Sequence, residues 1–432
     1  MAWREIYKSK LCTAQEAIRS IKSGNRVIVT HAAGEPSILI DAMVDNCEQF
    51  SNVEIIHMVA MGSARYCSPG MEKHFWHNSL FIGGSTRNAI GEGRGDFTPV
   101  HFSEIPKLFQ SSLRPNVALL HLSPPDEHGY CSFGISIDYT KTAAEHADIL
   151  IAQINKNMPR TLGDSMIHIS KLSHIVEEDT TLIELPRTII TEVEEAIGRN
   201  CISLIHDGDT LQLGIGAIPD AVLQFLGDKK DLGIHSELLT DGVVSLIESG
   251  IINNSRKTIH KGRSIATFIM GTRKLYDYVD NNPEVQMMPV EYVNDPVVIA
   301  KNDNLVSINS CVQVDLTGQV VSDSVGYRQI SGVGGQVDFV RGANMSKNGR
   351  TIMAMQSTAV NNKVSKIVSA IDEGSAVTTT RYDVNYVVTE YGIAQLKGKT
   401  LRARARELIA IAHPNFRSRL IDEFEKRFCC TY

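Results

Sequence analysis

The sequence has 432 residues, of which 43% are hydrophobic and 21% are charged, and its formal net charge is −6. This composition is typical of a globular protein whose core needs no disulfides or metals, and the length predicts two or three domains. Because both signs of charge are dispersed along the chain, no basic surface for nucleic acid or an anionic membrane is predicted.

The cysteines and histidines give no sign of cross-links or of a metal centre. Eight scattered cysteines form no C-x-x-C pair, which is typical of reduced thiols in the cytoplasm, and the 14 histidines fall in no zinc-binding spacing. No apolar run approaches a membrane span, and the N-terminal segment lacks the apolar core of a signal peptide. We therefore expect a cytoplasmic protein with no metal site and no membrane segment.

Short apolar runs rich in β-branched residues alternate with helical stretches along the chain. This alternation predicts an α/β fold with largely parallel sheets. The predicted strands are residues 26–30, 53–59, 117–123, 149–154, 174–178, 210–214, 264–270, 306–315 and 386–392. The predicted helices are residues 13–23, 36–46, 141–147, 191–198, 218–228 and 238–249, with two more near the C-terminus, the second opened by Pro414.

One pattern occurs twice, in residues 13–43 and again in residues 191–226. In each copy an "EAI" helix leads to a polar turn with glycine, a strand, a turn of small residues, and a proline (Pro36 or Pro219) that opens a helix. The repeat predicts two related α/β domains, residues 1–188 and 189–432. A chance likeness of two ordinary βα units is the alternative.

The small-residue turn of the second copy, Gly214-Ile215-Gly216-Ala217-Ile218, resembles the start of G-x-G-x-x-G. Proline replaces the third glycine, and no acidic residue ends a following strand, so dinucleotide binding is disfavoured. Small residues still let a ligand approach the backbone, and N–H groups at a helix start attract anions.

Glu237, in "GIHSELLTDG", has two interpretations. In the first, Ser236 caps the following helix and Glu237 complements the helix dipole in the first turn. In the second, a carboxylate at the carboxyl end of a strand stays ionised and serves as a nucleophile, because open α/β sheets bind ligands at that edge.

A second glycine cluster, Gly332, Gly334 and Gly335, lies in "SGVGGQVDFVRGA". Such a run exposes several backbone N–H groups in one place, which suits an oxyanion, although bulges and tight turns also use glycines. The preceding residues 307–323 predict a β-hairpin with its turn at Thr317–Gly318.

These segments resemble the acetyl-CoA hydrolase/transferase family of CoA-transferases over essentially the whole chain. The segments that carry the resemblance in the second half are "GIGAIPDAV", "GIHSELLTDG", "INSCVQVDLTGQV", "SGVGGQVDFVRGA" and "VVTEYGIAQLKGKTLRARARELI". Those in the first half are "GEPSILIDAM", "FIGGSTRNAIGEGRGDFTPVHFSEIP", "SPPDEHGYCSFGIS" and "NMPRTLGDSMIHIS".

The resemblance implies an active site between two related domains and a role for each candidate residue. Glu237 matches the family's catalytic glutamate, which forms a thioester with CoA. Gly214 to Ile218 match its CoA-contacting loop, and Gly332, Gly334 and Gly335 match the glycine motif beside the thioester. Coenzyme A and acyl-CoA are then substrates, with no permanently bound cofactor, and a homodimer or higher homo-oligomer is expected.

The resemblance favours exchange of CoA between acetyl-CoA or butyryl-CoA and 4-hydroxybutyrate. Butyryl-CoA:acetate exchange, hydrolysis of acetyl-CoA and non-catalytic CoA binding remain alternatives. The segments "GEGRGDFTPVHFSEIP" and "SPPDEHGYCSFG", with Gly34–Glu35–Pro36, are candidates for the acid pocket, and structural turns are the alternative for each. Cationic candidates for the CoA phosphates, chosen only by their proximity to the matched segments, are Lys347, Arg350, Lys363 and Lys399.

Overall fold

A computed structural model of the chain describes residues 2–186 and 188–432. These residues fall into two units: the first runs to Pro186 and also includes Ile265–Val293, and the second runs to Ser264 and resumes at Asn294. The predicted boundary after residue 188 places residues 265–293 in the second domain, whereas here they pack with the first unit. The strand Val285–Met287 pairs in parallel with Leu162–Gly163, a long-range contact that no local sequence pattern reports.

The first unit contains a seven-stranded sheet in which every neighbouring pair of strands is parallel. The strand order is β7-β6-β5-β1-β2-β3-β4. The strands are β1 (Arg26–Val29), β2 (Val53–Met58), β3 (Phe75–Phe81), β4 (Gly95–Phe97), β5 (Val117–Leu122), β6 (Ile149–Ile154) and β7 (His174–Glu177).

The second unit contains a six-stranded sheet of order β9-β8-β10-β11-β12-β13, parallel except for its last pair. The predicted α/β class with largely parallel sheets is thus confirmed. The strands are β8 (Thr210–Leu213), β9 (Gly233–Ile234), β10 (Leu305–Ser310), β11 (Arg350–Ala354), β12 (Tyr386–Thr389) and β13 (Gly392–Gln395).

The two copies of the sequence repeat have the same role in building the two sheets. Each copy supplies an inner strand, β1 or β8, and the chain then adds β2 or β9 on one side and β5 or β10 on the other. The helix before each inner strand also begins in the same way. Thr13 with Glu16, and Thr191 with Glu194, form capping boxes in which the side chain of each residue accepts a backbone N–H of the other.

Fifteen α-helices lie in the described residues, and most of the predicted ones are present. Two differences stand out. Helix α1 was not predicted, and the predicted helix 238–249 begins only at Asp241. The helices are α1 (Ala2–Lys10), α2 (Ala14–Ile18), α3 (Ser37–Asp45), α4 (Arg87–Gly91), α5 (Ile105–Phe109), α6 (Thr140–His146), α7 (Glu192–Ile202), α8 (Ala217–Gln224), α9 (Asp241–Glu248), α10 (Arg273–Val279), α11 (Val290–Val293), α12 (Pro296–Ile299), α13 (Gln336–Met345), α14 (Leu401–Ala410) and α15 (Pro414–Phe428).

Short strands outside the two main sheets form hairpins and small ribbons. The predicted hairpin turn at Thr317–Gly318 is present, and the predicted strand 264–270 is split into two. The short strands are Tyr130–Ser132, Leu162–Gly163, Met166–His168, Leu238–Leu239, Ser264–Ala266, Phe268–Ile269, Val285–Met287, Gln313–Asp315, Val320–Val321, Ser324–Val325, Arg328–Gln329, Thr358–Ala359, Val364–Ser365 and Ile367–Val368.

Each unit has its own apolar core. In the first unit, α2 and α3 pack on the sheet around Ile55 and Val117, and in the second, α14 and α15 contribute Leu408 and Phe424 to a cluster with Val387. None of the helices in the described part of the chain combines the length and the apolar character needed to cross a membrane.

We expect Gly342→Ala to destabilise the second unit by about 1–3 kcal/mol. Gly342 lies inside α13, and a Cβ there would stand 2.4 Å from Cγ2 of Ile299 on α12, closer than side-chain carbons pack. Chemical denaturation checks the effect. The control is Gly227→Ala, where a Cβ meets nothing within 4 Å. Equal stabilities of the two variants would contradict the close packing of α12 on α13.

Candidate functional site

The loop Gly214–Gly216 lies where the strand order of the second unit reverses. The chain adds β9 on one side of β8 and β10 on the other, and open α/β sheets bind ligands at the carboxyl ends of the strands at such a switch point. Gly216 has φ +111°, a region that favours glycine, and it immediately precedes α8. A Cβ on Gly214 or Gly216 would meet nothing within 4 Å, so this backbone is open to a ligand.

The other residues of the predicted CoA-contacting loop extend the same surface. Ile215 is 45% exposed, unusually so for an apolar side chain, while Ala217 and Ile218 form the first turn of α8. The five residues from Gly214 to Ile218 therefore form one continuous, accessible turn at the start of a helix.

Glu237 lies in a bend just beyond β9, before the short strand Leu238–Leu239. The helix α9 begins four residues later, with Thr240 at its N-cap position, so the interpretation of Ser236 as the helix cap is wrong. The Ser236 hydroxyl instead donates to the carbonyl of Leu213, 3.1 Å away, at the end of β8. This bond ties the segment carrying Glu237 to the strand that leads into the glycine loop.

The Glu237 carboxylate is partly exposed and is held by two residues of the second unit. The Asn294 side-chain N–H donates to Glu237 Oε2 at 2.9 Å. A Cβ on Gly335 would stand 2.0 Å from the same oxygen and 2.2 Å from Asn294 Nδ2, so only glycine fits at this position. Gly335 is the residue before the ten-residue helix α13, whose N-terminus carries a partial positive charge.

The structure therefore brings together two parts of the predicted site, Glu237 and the second glycine cluster. Within that cluster Gly332 and Gly334 are buried, and Gly334 has φ +54°. Asn294 was missed in the sequence. It is completely buried just before α12, and neither its spacing nor its neighbours form a motif.

The strand that leads to Glu237 lies at the edge of its sheet, and two side chains take the place of a neighbouring strand. Asn254 Oδ1 accepts the N–H of Ile234 at 2.9 Å, and Lys257 Nζ donates to the Ile234 carbonyl at 2.6 Å. Lys257 is only 1% exposed and also donates to the Arg263 carbonyl. Burial lowers the pKa of Lys257 to about 7.

Two of the four candidate phosphate-binding cations have structural partners. Arg350, at the amino end of β11, pairs with the buried Asp209 at 2.6 Å, and Lys399 pairs with Glu407 at 2.5 Å. Lys347 and Lys363 are exposed.

The first unit has its own switch point between β1 and β5, and Glu35 follows β1 there. Its side chain is 5% exposed, accepts the Met61 N–H at 3.2 Å, and lies 3.8 Å from His57 Nε2. Burial raises the pKa of Glu35 to about 7 and holds the pKa of His57 well below its usual range. Val59, just before Met61, has φ +46°, which is rare for a β-branched residue and marks local strain.

Comparisons with known proteins identify the family of the chain. Residues 1–185 match the acetyl-CoA hydrolase/transferase N-terminal domain, and residues 271–424 match the C-terminal domain of the same description. The 4-hydroxybutyrate coenzyme A transferase of Clostridium kluyveri is 60% identical over 99% of this chain and 100% of its own. The chain belongs to the acetyl-CoA hydrolase/transferase family. It is accordingly an enzyme of coenzyme A transfer.

Two solved structures share the fold along their full length. A 4-hydroxybutyrate CoA-transferase from Porphyromonas gingivalis is 45% identical with a TM-score of 0.86, over 99% of this chain and 100% of that one. RipA from Yersinia pestis is 37% identical with a TM-score of 0.95, and the match covers 100% of both chains. The two family domains matched leave residues 186–270 between them, so Glu237 lies outside both matched ranges.

We expect Glu35→Gln to change how the stability of the protein depends on pH. The folded state holds the Glu35 proton more tightly than the unfolded state, whose pKa lies near 4.5, so stability is lost as pH rises through about 7. Relative to the variant, the wild type should lose up to about 1.4 kcal/mol per pH unit between about pH 5 and 7. Chemical denaturation across this range measures the difference.

The matched control is the same substitution at the exposed Glu127, which should keep the wild-type pH dependence. Parallel pH profiles for the wild type and the Glu35 variant would show that this carboxyl does not titrate in the folded protein as proposed.

Proposed function

We propose that this chain is a CoA-transferase that moves CoA between a short-chain acyl-CoA and a carboxylic acid through a thioester on Glu237. The observation that carries the proposal is the setting of Glu237. Its carboxylate is partly exposed at the carboxyl edge of a parallel sheet, is hydrogen-bonded at one oxygen by Asn294, and packs against Gly335.

The reaction consists of two acyl substitutions, the first at the acyl-CoA carbonyl and the second at the glutamyl carbonyl. The carboxylate attacks the acyl-CoA carbonyl carbon and expels the CoA thiolate, which gives a mixed anhydride. The thiolate then attacks the glutamyl carbonyl, releases the first carboxylic acid as its carboxylate, and leaves a glutamyl-CoA thioester. An acceptor carboxylate reverses both steps, so the thioester energy is kept in covalent intermediates and the kinetics are ping-pong.

The neighbours of Glu237 supply orientation and charge stabilisation. The Asn294 amide donates to Oε2 and so orients the carboxylate for attack. Backbone N–H groups of the glycine cluster at the start of α13 stabilise the tetrahedral oxyanions, each donor being worth roughly 2.7–4 kcal/mol in such sites. The open turn Gly214–Ile218 binds the CoA chain at the start of α8.

The acid we propose is 4-hydroxybutyrate, as in the name of the Clostridium kluyveri relative, and the acyl-CoA we propose is acetyl-CoA or butyryl-CoA. Butyryl-CoA:acetate exchange and acetyl-CoA hydrolysis are the alternatives on the same scaffold. Coenzyme A is a substrate here, and no permanently bound cofactor is required. A cytoplasmic homodimer or higher homo-oligomer completes the proposal.

Incubation with acyl-CoA alone should leave CoA covalently attached to Glu237. Mass spectrometry of the intact protein and of its peptides measures the adduct, which hydroxylamine should remove. Glu237→Ala should abolish the adduct and lower the transfer rate on the order of 10³-fold or more. Glu192→Ala, at an exposed glutamate of α7, is the matched control and should keep both. An active enzyme without an adduct would exclude the covalent mechanism.

The same samples separate transfer from hydrolysis. With acyl-CoA and no acceptor acid, a transferase releases one carboxylate per site and stops, whereas a hydrolase continues to turn over. Continuous release of free CoA without acceptor would favour the hydrolase alternative.

We expect Asn294→Asp to move the acidic limb of the pH–rate profile to higher pH. The substitution places a second carboxylate about 3 Å from Glu237, and two carboxylates so close share one proton, which raises the pKa of the nucleophile. Asn294→Ala removes the same hydrogen bond without adding charge, so it should lower the rate without that shift. Equal profiles for the two variants would contradict direct contact between residue 294 and the reacting carboxylate.

A further inference from the structure

A group of metal-ligating side chains lies at the amino ends of β2 and β3 in the first unit. Cys47 Sγ, a carboxylate oxygen of Glu48 and a ring nitrogen of His74 all lie within 4.8 Å of one another. Among the residues that the structure describes, no other three such side chains come so close together. Cys47 and Glu48 are adjacent in sequence, but His74 follows 26 residues after Glu48, so no zinc-binding spacing was visible in the sequence.

The orientation of His74 is the one found in metal sites. Its Nδ1 lies 2.9 Å from the Phe50 carbonyl, so the Nδ1–H donates there and Nε2 is the ring nitrogen directed at the other two side chains. Metal-ligating histidines almost always donate their second ring N–H to a carbonyl or carboxylate in this way. Nε2 faces Glu48, with its carboxylate oxygen 3.9 Å away.

The backbone around these side chains is held by hydrogen bonds, one local and one between the two segments. The Phe50 N–H donates to the Cys47 carbonyl at 2.8 Å, and the Val53 N–H donates to the His74 carbonyl at 3.0 Å. Cys47 also packs against the apolar core, whereas the Glu48 side chain is 91% exposed and can rotate. The fold therefore fixes two metal-ligand residues, Cys47 and His74, and the Glu48 carboxylate can adjust to a bound ion.

We propose that Cys47, Glu48 and His74 form a binding site for a divalent transition metal of the zinc class. Thiolate, imidazole and carboxylate are all zinc ligands, and three protein ligands leave a fourth tetrahedral position for water. With zinc–ligand distances of about 2.0–2.3 Å, the ligand atoms should be roughly 3.3–3.7 Å apart. The distance from Glu48 Oε1 to His74 Nε2, 3.9 Å, is close to this range, and rotation of the exposed Glu48 side chain can shorten it.

Cys47 precedes β2 and His74 precedes β3, so the site lies at the amino ends of the strands. Glu35 follows β1 and therefore lies at the opposite edge, at the carboxyl ends. A bound ion would link the two segments that lead into these strands, so it stabilises the first unit and takes no part in CoA transfer. The proposal is independent of the proposed function.

The test uses the full-length protein, stripped of metal with a chelator and titrated with Co²⁺ and then with Zn²⁺. The expected result is one Co²⁺ per chain with a thiolate-to-cobalt absorption band, displacement by Zn²⁺, and a higher Tm with metal bound. C47S should abolish the band, and H74Q should weaken binding at least about tenfold. E48Q should weaken binding less, because water can replace one exposed carboxylate.

The matched control is C12S, because Cys12 is also half-buried with its Sγ near a histidine, 4.0 Å from His174 Nδ1. This variant should bind Co²⁺ as the wild type does, and C47S should keep the wild-type rate of CoA transfer. Circular dichroism of the metal-free variants checks that each is folded. The proposal would be overturned if Co²⁺ binding survives C47S or if the spectrum lacks a thiolate band. It would also be overturned if the wild type has no measurable affinity for either metal, which would leave His74 and Glu48 as an ion pair only.

Discussion

The order in which the strands are added to each parallel sheet creates a crevice at its switch point. In each unit an inner strand, β1 or β8, is followed by strands on one side and then on the other. Parallel strands need crossover connections, so the loops after the two central strands separate and leave their carboxyl ends uncovered. The glycine loop at Gly214–Gly216 and the loop with Glu35 occupy these two places. The duplication therefore provides two related crevices, whose side chains differ.

The difference between the two crevices lies in how each treats a carboxyl group. Glu35 is almost completely buried, and the backbone N–H of Met61 does not offset the loss of hydration, so its pKa is raised. Glu237 is partly exposed, receives a hydrogen bond from a neutral amide, and lies beside the positive end of α13. The positive helix end and the hydrogen-bond donor beside Glu237 both stabilise an anion, as the proposed role of this side chain as a nucleophile requires. Environment separates the roles of two chemically identical side chains.

The sequence contained the elements and the reactive groups, but not the long-range pairings that complete the site. The repeated pattern of helix, turn and strand and the alternating apolar runs could be predicted because they act over short stretches of sequence. Glu237 and the glycine cluster were found through local motifs. Asn294 was not, since its importance arises only where α12 brings it to Glu237, across 57 positions. The same reason hid the pairing of Val285–Met287 with the first unit, and the meeting of His74 with Cys47.

The position of Glu237 depends finally on how the edge of its sheet is closed. The strand β9 has only two residues and no neighbour on its outer side within the sheet, an arrangement that ordinarily frays. Asn254 and Lys257 satisfy both backbone groups of Ile234, as a neighbouring strand would. A Cβ on Gly233 would stand 2.5 Å from the Lys257 stem, so glycine is needed for the lysine to reach the edge. Burying a lysine is costly, and its lowered pKa is the sign of that cost. In return, the segment that ends at Glu237 is fixed without a further strand beside it.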